Sequence, residues 1–413
     1  MNSPRIQSGS IAFRKVNLAL FAAGFVTFIT LYDVQPLLPE FAREFGIRPA
    51  WASLPLSAAS FTLAMAMLLA GTLSETLGRK PVMMCSLFLT SILALLTAFS
   101  HSFSSLVLLR FVQGIVLAGL PPVAMAYLSE EIEPATVGTA MGLYISGNAI
   151  GGMSGRLFTA TVTDYFSWHI ALGLVGVISL MLSIYFACSL PPSTHFRNRP
   201  FENRYLLTSV LQQLRDPSLL CLYGISFMVM GSFVTVFNYI TFRLLGEEYG
   251  LSQTMVSLIF LTYLLGAYSS SSVSKLVNRF GRFFAIRACV VVMFAGIAIT
   301  LARPLPLVIA GIAVFTCGFF GAHTIASTWV GRHARTAKAQ AAALYLFFYY
   351  LGASISGTVG GFCWAGVGWQ GVVGFISLLL VTALCLTLVL ARLFIEPKEA
   401  ALPVRNQARG GNG

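Results

Sequence analysis

Three charged side chains stand within long apolar runs of the chain: Asp33, Arg110 and Arg156. An ion in hydrocarbon is costly unless it is paired or turned toward a water-filled cavity, so each is read as functional. A carboxylate there can take up and release protons, and a guanidinium can neutralise that acid or hold an anionic solute. The three sum to +1, which suits an anionic or polar solute as readily as a cationic one. Gln113 follows in the segment Arg110-Phe-Val-Gln113-Gly114. Asn148, Asn238, Tyr239, His323, Tyr349 and Tyr350 are polar groups in other apolar runs, suited to contacting a solute or to bonding between helices. His323 adds an imidazole, which titrates near neutrality.

Enzymatic chemistry is not expected. The chain has no G-x-x-x-x-G-K-[ST] phosphate loop, so energy is expected from an ion gradient rather than from ATP. G-x-S-x-G and H-E-x-x-H are also missing, and Cys85, Cys188, Cys221, Cys289, Cys317, Cys363 and Cys385 fall in apolar runs without metal-type spacing. These cysteines read as small packing residues. No cofactor or metal is called for.

The elements that must position the charges follow from composition. Of 413 residues 57% are hydrophobic and 10% charged, with a mean hydropathy of +0.81. A soluble domain carries about a quarter charged residues, so water cannot be the solvent of this surface. A hydrocarbon layer about 30 Å thick takes roughly 20 helical residues to cross. Helices are predicted near 17–40, 52–74, 81–100, 104–129, 136–163, 168–190, 218–245, 253–276, 284–303, 305–330, 337–364 and 369–395. The first run is too long for a signal-peptide core and is expected to stay uncleaved.

The net charge of +12 does not describe a nucleic-acid surface, because Lys and Arg lie in short segments between apolar runs. With a cytoplasmic N-terminus, 20 of them fall in cytoplasmic segments, including Arg197, Arg199, Arg335, Lys398, Arg405 and Arg409. Only four (Arg43, Arg48, Arg243 and Arg303) fall outside. That bias places both termini in the cytoplasm, as the positive-inside rule requires.

The chain also repeats itself. Gly71-Thr-Leu-Ser-Glu75-Thr-Leu-Gly78-Arg79 is echoed by Ser274-Lys-Leu-Val-Asn278-Arg-Phe-Gly281-Arg282, an offset of 203. Gly142-Leu-Tyr144 and Gly151 are echoed by Ala343-Leu-Tyr345 and Gly352, an offset of 201. Parallel duplication of this kind, about an axis along the membrane normal, marks one class of secondary transporter. The expected fold is an all-α membrane protein of twelve transmembrane helices in two pseudo-symmetric six-helix bundles, residues 1–190 and 218–395. A basic cytoplasmic linker, 191–217, holds a possible amphipathic helix from Arg204 to Leu214, and residues 396–413 form a cytoplasmic tail.

Gly71-Thr-Leu-Ser-Glu75-Thr-Leu-Gly78-Arg79-Lys80 resembles the signature loop of the major facilitator superfamily, G-x-L-a-D-r-x-G-r-k. Its glycines permit a tight turn, and its acid and bases can form a latch that exists in one conformation and opens in the other. The resemblance implies that Glu75, in place of the usual Asp, faces a helix N-terminus of the other half. It also implies that Arg79 pairs with Glu130, the acid ending helix 4. Arg110-x-x-Gln113-Gly114 resembles a pattern of the drug:proton antiporter branch. Gly147-x-x-x-Gly151-Gly152-x-x-Gly155-Arg156 resembles the antiporter motif G-x-x-x-G-P-x-x-G-G, with Gly152 in place of proline and Arg156 in place of the last glycine. Similar segments at 127–131, 142–148 and 231–239 extend the likeness to bacterial inner-membrane transporters over nearly the whole chain.

At 1.5 Å per residue, Asp33 lies about 25 Å along helix 1, Arg156 about 30 Å along helix 5, and Arg110 about 9 Å inside the outer end of helix 4. Asp33 is therefore expected to pair with Arg110, Arg156 or both. The resemblance implies a monomeric, proton-coupled exporter of a small organic molecule in a bacterial inner membrane. The alternative is a sugar or organic-anion transporter, for uptake or export, that binds its substrate through Arg110 and Arg156.

Overall fold

The computed structural model describes residues 5–196, 203–334 and 337–399. Arg197, Arg199, Arg335, Arg405, Arg409 and most of the expected tail lie outside the described residues. Ten segments are long and apolar enough to cross a membrane. One of them, Lys338–Phe394, is two helices run together across Gly368, whose φ of +64° only glycine adopts readily. Another helix, Val137–Tyr165, has 29 residues and matches the others in length but carries Arg156 and Asp164. Among the described residues this makes twelve spans. Spans 1–6 are Ile11–Glu44, Leu54–Leu77, Arg79–Thr97, Phe103–Glu131, Val137–Tyr165 and Trp168–Ser189. Spans 7–12 are Pro217–Leu245, Gln253–Phe280, Arg282–Ile299, Leu305–His333, 338–367 and 369–399. The linker helix is Asn203–Leu214, and Asp216 caps span 7 by accepting from the amides of Ser218 and Leu219.

Span 1 differs from the single helix expected at 17–40. Its helix starts at Ile11, because the Ser10 hydroxyl accepts from the Phe13 amide at 3.1 Å and caps it. It stops at Tyr32, four residues before Pro36, whose ring displaces the carbonyl of residue i−4 and which has no N–H to donate. A 3-10 turn, Gln35–Leu37, and a short helix, Leu38–Glu44, complete the span. Span 4 obeys the same rule: its first helix, Phe103–Leu117, ends four residues before Pro121.

Spans 1 and 5 meet backbone to backbone. A Cβ added at Gly147 would lie 2.4 Å from the Phe21 carbonyl oxygen, one at Gly151 2.4 Å from that of Phe25, and one at Gly155 2.8 Å from that of Ile29. In the second half, a Cβ on Gly352 would lie 2.2 Å from the Phe227 carbonyl oxygen. Small residues at this spacing let helices approach without hydrophobic driving force.

Hydrogen bonds between the halves lie at one end of the bundle. Gln35 bonds Asn238, Ser57 bonds Ser354 and Thr358, and Asp164 bonds Thr254. All are far from Ile11 and from residue 399. At the end that holds both termini, no hydrogen bond or ion pair joins the spans of the two halves among the described residues.

Candidate functional site

The break in span 1 creates the site. A helix that stops at Tyr32 leaves its last carbonyls without amide donors and puts the negative end of its dipole inside the membrane. Arg110, fully buried on span 4, supplies the missing donors: Nη1 to the Thr30 carbonyl and Nη2 to that of Leu31, both at 2.6 Å. Nη1 also meets Asp33 Oδ1 at 3.1 Å and Gln113 Oε1 at 2.7 Å. Gln113 in turn donates to the Thr90 carbonyl, 3.2 Å away on span 3. Thr159 on span 5 donates to the Asp33 carbonyl at 2.8 Å. Asp33, Arg110 and Gln113 thus form one buried knot of spans 1, 3, 4 and 5.

Arg156 stands apart from that knot. Of the two partners expected for Asp33, only Arg110 takes its carboxylate, and no acid pairs with Arg156 among the described residues. Its Nε donates to Gln35 Oε1 and its Nη1 to the Gly152 carbonyl, both at 2.6 Å. Its guanidinium lies 3.9 Å from the Tyr32 ring centre, 5.0 Å from Tyr263 and 5.2 Å from Phe260. The last two belong to the second half, so the cation sits at the seam between halves. A Cβ on Gly152 would stand 3.3 Å from Arg156 Nη1, so the glycine found in place of the motif's proline leaves room for the guanidinium.

Arginine can only donate, and this fixes a direction for the amides beyond it. Gln35 must turn its oxygen to Arg156, and its Nε2 therefore donates to Asn238 Oδ1 at 2.8 Å. Asn238 Nδ2 ends the series, buried without an acceptor among the described residues, as is the Tyr263 hydroxyl. Donors outnumber acceptors here.

The remaining polar residues scatter. His323 lies in the second half, half-buried, with Nδ1 2.9 Å from the Tyr345 hydroxyl and its ring against Phe319 and Tyr349. Tyr349 is half-buried beside it and in ring contact with the buried Tyr350. Tyr239 is wholly buried and donates to the Gly357 carbonyl at 2.6 Å, tying span 7 to span 11. Asn148 packs against Gly24 on span 1, its Oδ1 buried without a partner among the described residues.

The expected latch residues sit at the end of the bundle that holds the termini. Arg79 grips Glu130 with two bonds, Nη2–Oε1 at 2.7 Å and Nε–Oε2 at 3.2 Å. It also reaches the Ser74 hydroxyl, the Gly71 carbonyl and, at 3.9 Å, Glu75. Gly78 turns the chain at φ +94°, and Lys80 donates to the Leu190 carbonyl. All of these partners belong to the first half, and Glu75 has none across the seam among the described residues. Gln35, Tyr32, Phe260 and Tyr263 were not singled out from sequence as site residues. The interval of 203 between Gln35 and Asn238 was the available signal.

Twelve membrane-length helices in two duplicated sets, with buried charges at their seam, define a secondary-transporter fold. Residues 18–357 match the model of the Major Facilitator Superfamily, and the chain belongs to that family. It is 49% identical over 387 residues to the MFS-type transporter YybF of Bacillus subtilis, covering 94% of this chain and 96% of the relative. It is 45% identical over 379 residues to the inner membrane transport protein YnfM of Escherichia coli, covering 92% and 91%. Among solved structures, a bacterial homolog of the human lysosomal transporter Spinster, inward-facing and occupied, superposes with a TM-score of 0.77 at 14% identity. That match covers 94% of this chain and 99% of the other. The protein is a multi-pass membrane transporter and not an enzyme.

Proposed function

We propose that this transporter is a monomeric, proton-coupled exporter of a small organic molecule in a bacterial inner membrane, working by alternating access with both termini cytoplasmic. One observation carries the reading: the Asp33–Arg110 pair is buried at the only point where span 1 abandons helical geometry among the described residues, beside the seam that must open and close. Protonating Asp33 removes its charge from Arg110 and leaves that cation held only by neutral oxygens, a change large enough to bias two states. The excess of basic residues near the termini supports placing that end in the cytoplasm. The closed end then faces outward and the described state is inward-facing. The inner-membrane name of YnfM agrees with this placement.

The test uses purified protein in liposomes with an imposed pH gradient and a panel of labelled organic solutes. Substrate movement against its gradient, abolished by Asp33→Asn in folded protein, is the expected outcome. Wild-type transport indifferent to the pH gradient would rule out proton coupling.

Arg156 favours the second reading, an organic-anion carrier, with one change. The Nη1 and Nη2 bonds of Arg110 all go to the knot that ties span 1, and its acid partner is Asp33. Arg156 has no acid partner among the described residues and stands at the seam, so it is the cation placed to meet the solute's negative group. The free donors of Asn238 and Tyr263 beside it suit a carboxylate.

A further inference from the structure

The two halves carry unlike charges at equivalent places. Span 4, Phe103–Glu131, and span 10, Leu305–His333, start and end 202 residues apart, so Glu130 corresponds to Arg332. Around the other loop, an offset of 203 makes Arg79 correspond to Arg282 and Glu75 to Asn278. In the first half one arginine is met by two acids. In the second half the same three positions hold two arginines and an amide, and neither Arg282 nor Arg332 forms an ion pair among the described residues.

In the second half this place is a cavity of about 130 Å³. Arg282, Arg332, Asn278 and Ser274 line its polar side, and Val277 and Trp329 its apolar side. Arg282 opens the 18-residue helix of span 9, whose N-terminal amides have no side-chain cap. Both arginines are solvent-exposed, and the Arg282 guanidinium lies 4.9 Å from the Trp329 ring centre. Two cations and an amide donor line a space where the first half supplies its own carboxylates.

We propose that this cavity binds a phosphoryl anion, which takes the place that Glu130 fills in the other half. The apolar wall beside the arginines fits the phosphate group of a membrane lipid, and free phosphate shares the same chemistry. Ligand binding here is separate from the transport site at Arg156 and does not depend on how that site works.

Full-length protein in a neutral detergent is titrated separately with phosphatidylglycerol, phosphatidylcholine and inorganic phosphate, following thermal stability and tryptophan emission. Two variants are compared with wild type: Arg282→Gln/Arg332→Gln, and Arg332→Glu, which rebuilds the acid–base pair of the first half. Wild type is expected to respond, and Arg332→Glu to stay folded while its apparent affinity falls about tenfold or more. A response to phosphatidylglycerol alone assigns a lipid headgroup, and a response to inorganic phosphate as well assigns a site open to free anion. If the double variant does not fold, Arg332→Glu still decides the matter. An equal response in wild type and Arg332→Glu, or no wild-type response to any of the three, overturns the proposal.

Discussion

Gln35 donates its amide hydrogen to Asn238 at 2.8 Å, and the two residues are 203 positions apart. The same interval separates Gly78 from Gly281, the left-handed turn residues of the duplicated loops. Offsets elsewhere in the repeat run from 201 to 203, so the two amides stand at or within a residue or two of equivalent places, and they meet where the two halves meet. Because the bond crosses the closed end of the seam, the chain must break it to open there.

Removing the Gln35 side chain strands Arg156 Nε and Asn238 Oδ1 together. Gln35→Ala is expected to cost about 1–3 kcal/mol per stranded group, and its cycle with Asn238→Ala to show coupling of about 0.5–3 kcal/mol. Thermal unfolding of the four proteins measures this. Additive single effects would mean that the bond is not made in the resting state.

Arg110 and Asp33 are expected to differ sharply on substitution although they touch. Arg110→Gln deprives the Thr30 and Leu31 carbonyls of donors and leaves a buried carboxylate unpaired, a loss of about 3–5 kcal/mol. Asp33→Asn keeps an oxygen for Arg110 and should fold. Stability measured alongside transport separates the two roles, and equal destabilisation would contradict the division.

Glycine substitutions test the seam between spans 1 and 5. Gly151→Ala would place a carbon 2.4 Å from the Phe25 carbonyl oxygen and should cost about 1–3 kcal/mol or prevent folding. Gly142→Ala, on the same helix with nothing within 4 Å, should be tolerated. Yield of monodisperse protein reports both.

Outside the membrane, hydrogen bonds from Arg243 hold the Glu248 carboxyl below the usual carboxylate range. A carboxyl lowered on folding stabilises above its unfolded pKa, and that contribution fades as pH falls through the lowered value. Glu248 is half-exposed although Arg243 is buried, so less than about 1 kcal/mol is at stake. Melting curves from pH 7 to pH 3 should fall slightly less steeply for Glu248→Gln than for wild type. Identical slopes would show the pair to be idle.

Much of this was legible in the sequence. Span positions followed from hydropathy, and the duplication from two offsets, because both are properties of residue order. The breaks in spans 1 and 4 were written in Pro36 and Pro121, although an apolar run read only for length passes over them. The pairing of Asp33 was not decidable from order, since depth along a helix says nothing about its rotation. Arg156 and Arg110 lie at comparable depths, yet only Arg110 faces the open carbonyls of span 1. Gln35 is hidden in the sequence for a related reason: beside Pro36 it reads as a turn residue, and only the three-dimensional seam gives it two partners.

A primary amide is unusual in that it can bond to another copy of itself, offering a hydrogen and a lone pair at once. A carboxylate or a guanidinium facing its own twin can only repel it. The duplicated halves therefore meet through a side-chain type that can bond its own near-copy, and Gln35 and Asn238, which differ by one methylene, do so.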